Sequence, residues 1–117
     1  MFRGVLLLLL LVFSLFAEPQ MSEGLILGAT GNEPGWVLEI HSEKRALLLT
    51  NLGKDKTLFE ITGKFSEHGS TEYKMRSNYN VLHVRIEKRR CQDTMADSVY
   101  ASTVYINFDG VNMKGCG

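Results

Sequence analysis

From Leu25 onward, apolar and polar positions alternate with a period of two, and no stretch keeps the 3.6-residue period of an amphipathic helix. The pattern predicts an all-β fold. Trp36, Leu38 and Ile40 alternate with Val37, Glu39 and His41, a polar turn follows at Ser42-Glu43-Lys44, and a second apolar run covers Ala46 to Leu49. After a break from Asn51 to Lys56, the next strand sets Phe59, Ile61, Gly63 and Phe65 on one face and Glu60, Thr62 and Lys64 on the other. Turns at Glu67-His68-Gly69-Ser70 and Ser77-Asn78-Tyr79-Asn80 then separate a strand carrying Tyr73 and Met75 from one carrying Leu82, Val84 and Ile86. With a first strand near Leu25-Ile26-Leu27, the count reaches about eight short strands. Their spacing predicts a small antiparallel up-and-down barrel.

The last hairpin carries the most specific local signal. Asp109-Gly110 lies between Tyr105-Ile106-Asn107-Phe108 and Val111-Asn112-Met113-Lys114, and Asp-Gly suits the positive backbone angles of a two-residue type I′ turn. That turn pairs Phe108 with Val111 and Ile106 with Met113. Only the interval Cys91 to Tyr100 escapes the alternation, and one short helical turn capped by Asp93 is the expectation there.

Composition adds a location. Arg3 precedes an apolar run from Val5 to Phe13 that resumes at Leu15-Phe16 and ends at the small residue Ala17, the layout of a cleaved secretory leader. The run is about a dozen residues, short of the roughly 20 that a spanning helix needs. Residues 1–17 are therefore expected to be a signal peptide and 18–117 a single β-barrel domain, periplasmic or secreted. No cysteine stands near the leader's end, which excludes a lipoprotein anchor. The chain's two cysteines, Cys91 and Cys116, then read as one structural disulfide tethering the long loop.

Charge narrows the partners. Thirteen basic side chains face thirteen acidic ones, so no global field gathers nucleic acid, and no stable membrane insertion is expected once the leader is removed. The dense basic run Lys88-Arg89-Arg90 reads as a solvated strand end.

Candidate chemistry is sparse. Gly31-Asn32-Glu33-Pro34-Gly35-Trp36 reads as a loop entering a strand, with Trp36 as a core plug; its functional reading is an exposed Glu33 at the barrel mouth. Asp93 and Asp97 fit turn and cap roles and lack the close spacing of a calcium loop. His41, His68 and His83 have no zinc-ligand spacing, and no nucleophile elbow or phosphate loop occurs. No motif calls for a metal or a cofactor.

Gly31-Asn32-Glu33-Pro34 with Trp36, Cys91-x-Asp93-x-Met95-x-Asp97-x-x-Tyr100, and the closing Gly115-Cys116 resemble a family of uncharacterised bacterial envelope proteins. Its marks are G-N-E-P-F-W, C-x-D-x-M-S-D-x-x-Y-P and a terminal G-C. This chain departs from them at Gly35, Ala96 and Ala101. In size and leader the family is similar to the membrane-bound lysozyme inhibitors of C-type lysozyme, small eight-stranded barrels that insert a loop into the lysozyme cleft.

Together these readings set the expectation of a non-enzymatic, monomeric envelope protein. It would bind an envelope protein or small ligand through Asn32, Glu33, Trp36, Asp93, Met95, Asp97 and Tyr100. The alternatives are a lysozyme-inhibitor-like protein and an envelope hydrolase pairing Glu33 with Asp93 or Asp97.

Overall fold

The computed structural model describes residues 24–32, 35–93 and 97–117, and among these every regular element is a strand. The expected leader, Glu33 and Met95 lie outside the described residues. Eight strands close an antiparallel barrel: β1 (Leu25–Asn32), β2 (Gly35–His41), β3 (Arg45–Thr50), β4 (Asp55–Glu67), β5 (Ser70–Arg76), β6 (Val81–Glu87), β9 (Thr103–Phe108) and β10 (Val111–Cys116). Between β6 and β9 the chain makes a separate two-stranded hairpin, β7 (Cys91–Asp93) and β8 (Ser98–Tyr100). Apart from that insertion, each strand pairs with the next in sequence, the up-and-down order that the turn signals predict.

Period-two alternation is the cause of closure. Leu38, Ile40, Leu48, Phe59, Met75, Leu82, Val84 and Ile106 are all but fully buried, while their sequence neighbours, His41 apart, are partly or fully exposed. Each such side chain removed from water contributes roughly 1.5–3 kcal/mol. Phe59 and Phe108 meet edge to face across the interior, with ring centroids 6.1 Å apart. Asp109 (φ 49°) and Gly110 (φ 88°) form the expected tight turn, and Val111 pairs with Phe108 and Met113 with Ile106.

Three local expectations change. In β4 the register slips between Ile61 and Gly63, leaving Thr62 as a bulge. Every later side chain switches face, so Lys64 stands opposite Tyr73 and Phe65 turns outward, 61% exposed, instead of continuing the row of Phe59. The first strand runs on through Gly31 and Asn32, and β4 already begins at Asp55. The described part of Cys91 to Tyr100 is extended: Cys91 pairs with Tyr100, Gln92 with Val99 and Asp93 with Ser98, so Asp93 is a strand residue, and the place of the expected helical turn, residues 94–96, lies outside the described residues.

The barrel closes where its first strand meets its last. In that seam Thr30 of β1 stands opposite Cys116 of β10, so the late part of β1 meets the end of β10, the stagger that tilted strands require. Gly117 prolongs β10 by exchanging two backbone hydrogen bonds with Ser102, each 3.1 Å.

Candidate functional site

The residues singled out by motif converge, and they converge on the seam. Trp36 is 3% exposed and lies beneath it. A methyl group on Gly31 would overlap Trp36 Nε1, and one on Gly115 would stand 2.6 Å from Trp36 Cζ2 while overlapping the Thr30 carbonyl. The two glycines thus leave the space that the indole and the neighbouring backbone fill. Gly31 continues β1 by pairing with Trp36 of β2 instead of opening a loop.

The inserted hairpin straps the same place. Cys91 and Cys116 form a disulfide with their Cα atoms 5.5 Å apart, and Asn32 Nδ2 donates to Asp93 Oδ1 at 2.7 Å. Cys91 and Asp93 are two apart in a strand, so both point to the barrel while Gln92 between them is exposed. Asp93 is 9% exposed, Tyr100 is half-buried opposite Cys91, and Asp97 is exposed at the hairpin turn with φ 52°. Trp36 is a core plug, and of the proposed contact residues Asn32 and Asp93 bond to each other. The geometry is that of a clasp.

A buried carboxylate that loses a neutral donor loses about 1.5–3 kcal/mol. Asn32→Ala is therefore expected to lower stability by about 2 kcal/mol in urea unfolding, and Asn32→Asp by more, since it sets two carboxylates face to face. Unchanged midpoints for both would remove Asn32 from the clasp.

Two grooves among the described residues lie on outward sheet faces that no motif marks. A groove of about 710 Å³ lies over β5, β6, β9 and β10. Two rows of outward side chains cross those strands in register. One is Glu72, Arg85, Tyr105 and Lys114; the other is Lys74, His83, Asn107 and Asn112. The Arg85 guanidinium covers the Tyr105 ring at 4.5 Å, with Lys114 Nζ 5.8 Å from the same ring. Arg85 Nε also meets Glu87 Oε1 at 3.2 Å, and Arg89 donates to the Tyr105 hydroxyl. Asn107 Nδ2 donates to Asn112 Oδ1 at 2.8 Å and Asn107 Oδ1 accepts from Gly110 N, fixing both amides.

A second groove, of about 960 Å³, adjoins across β5. Lys44, Arg45, Lys56 and Arg76 line it, against the single carboxylate of Glu60. These residues carry no linear signal because each strand shows only a few alternating polar positions; their alignment into rows depends on pairing across four strands.

Among the described residues no group of three or more His, Cys, Asp or Glu side chains could hold a metal ion. His41 is buried at the end of β2 with Nε2 2.8 Å from Glu39 Oε1, whereas His68 and His83 are exposed on other strands and turns. No protein-family model, no curated protein and no solved structure matches this chain.

Proposed function

We propose that this chain is an exported, non-enzymatic envelope protein that binds a ligand or partner on the outside of a rigid barrel. The observation that carries the reading is where side chains are committed. The interior is packed with apolar residues, the motif residues Asn32, Trp36 and Asp93 are engaged at the seam, and polar side chains line outward grooves. The leader pattern and the disulfide support export to an oxidising compartment. Outward polar rows over β5, β6, β9 and β10 support a barrel that works in water rather than in lipid. Among the described residues the two aspartates of the acid/base alternative stand apart in environment: Asp93 is buried and accepts the Asn32 amide, while Asp97 stands exposed in a turn.

The closed eight-stranded barrel with one disulfide also keeps the lysozyme-inhibitor-like reading in play, since that is the architecture the motif resemblance implies. Expression of the full chain in a Gram-negative host tests both. The expected product is an oxidised protein in the periplasmic fraction, trimmed near Ala17, that is retained on envelope fractions. A full-length product confined to the cytosol, or no retention above background, would refute the proposal. For the inhibitor version, micromolar protein should slow lysozyme lysis of a peptidoglycan suspension; an unchanged rate eliminates that version and leaves the broader one standing.

A further inference from the structure

We propose that the groove over β5, β6, β9 and β10 is a binding site for an acidic polysaccharide, a glycan chain bearing carboxylates; this rests on the reading of the chain as an exported binder. Three cations, Lys74, Arg85 and Lys114, stand against two carboxylates, Glu72 in the groove and Glu87 on the edge of Arg85, and the adjoining groove adds Lys44, Arg45, Lys56 and Arg76 against Glu60, so the two grooves together are cationic in a chain whose net charge is zero. Such a local excess along a concave face attracts anions more strongly than isolated surface lysines do. Arg85 is held by Tyr105 on its face and by Glu87 at its edge, so its remaining N–H groups are fixed in direction before a ligand arrives.

The other lining residues select among anions. Asn107 and Asn112 offer neutral donors and acceptors beside the cations, the mixture that suits hydroxyl groups interspersed with acids. In the Asn pair, Asn112 uses its oxygen toward Asn107 and keeps its NH₂ for the groove. Nucleic acid is the weaker fit, because single strands are held by bases stacked on open aromatic faces and the Tyr105 ring is already covered by Arg85.

A polymer fits better than a lone anion. The cations do not share one point: Arg85 and Lys114 meet over Tyr105, Lys74 stands in the other row, and Arg76, Arg45 and Lys56 line the second groove. A chain with repeated carboxylates meets one cation after another.

The test is calorimetric titration of the purified, oxidised chain with oligogalacturonate. Controls are its methyl ester, the galacturonic acid monomer and a single-stranded oligonucleotide. Oligogalacturonate should bind at least about tenfold more tightly than the ester or the monomer, and binding should weaken as salt shortens the Debye length from about 10 Å toward 3 Å. Arg85→Gln with Lys114→Gln should cost about tenfold in affinity at an unchanged melting temperature, whereas Lys88→Gln, outside both grooves, should cost nothing. Equal binding of acid and ester, tighter binding of the oligonucleotide, an unaffected double variant or no binding of oligogalacturonate would each overturn the proposal. Retention of the double variant on envelope fractions separates the two hypotheses: if it is retained like the parent, the groove assignment fails while the exported-binder reading survives.

Discussion

Gly115→Ala is expected to destabilise the barrel by about 3 kcal/mol or more, a larger loss than most single substitutions cause. The added methyl would overlap the Thr30 carbonyl oxygen and stand 2.7 Å from its carbon and 2.6 Å from Trp36 Cζ2. Two of those three atoms are backbone, so the conflict is not relieved by a side-chain rotation. Either β10 moves away from β1, which opens the seam at Thr30 and Cys116, or the indole moves and leaves a void in the core. Gly28→Ala supplies the control. It lies in β1, the other strand of the seam, a methyl there meets nothing within 4 Å, and its effect should stay within about 0.5 kcal/mol. Urea unfolding of the two variants beside the parent decides the matter; equal midpoints would mean that the close approach at Gly115 does not hold.

Removing the disulfide with Cys91→Ala and Cys116→Ala is expected to cost about 3–4 kcal/mol, since the bond closes a loop of sequence separation 25. The loss should be uneven. The β7–β8 hairpin forms its own two-stranded sheet, and an isolated pair of short strands is marginal in water. Without the covalent tie it keeps the Asn32–Asp93 bond as a side-chain link to β1. Backbone amides of the hairpin should therefore lose hydrogen-exchange protection by orders of magnitude, while amides in β2 to β6 follow only the global change. Uniform loss of protection throughout would show that the hairpin is integral to the barrel rather than strapped on it. Combined with Asn32→Ala, the cysteine variant should be non-additive, because both changes release the same element.

Most of the barrel is legible in the sequence because one physical rule generates it. Residues two apart share a face, and Leu38 with Ile40, Tyr73 with Met75, and Leu82 with Val84 all obey that rule. The Asp109-Gly110 turn adds register, because its geometry allows one pairing of the flanking strands. Alternation fails to reveal a slip. The bulge at Thr62 sends Phe65 outward, and no residue type there announces it. The Cys91 to Tyr100 hairpin escaped for a related reason: three residues per strand are too few for a period to show, though the spacing of Cys91 and Asp93 carries it.

The site was legible in a different proportion. The sequence brings Asn32, Trp36, Asp93 and Cys116 to notice, and the structure gathers them, but as packing and fastening at the seam. The polar rows over β5, β6, β9 and β10 give no linear sign. Tyr105 with Lys114 follows from the turn alone, whereas Glu72 with Arg85 and Arg85 with Tyr105 require the register of two further pairings.

The position of the chain's one tryptophan beneath the seam has an optical consequence. The pairing of β1 with β10 joins opposite ends of the described chain, whereas the other barrel pairings link strands that follow one another or are separated only by the inserted hairpin. Closing that long loop is entropically slow, so the hairpins can assemble before the cylinder shuts. Trp36 belongs to the local β1–β2 hairpin but loses its last contact with water only when Gly115 arrives over it. Its emission spectrum should therefore shift in a late kinetic phase, after far-ultraviolet signals of strand formation, making the molecule a natural stopwatch for barrel closure.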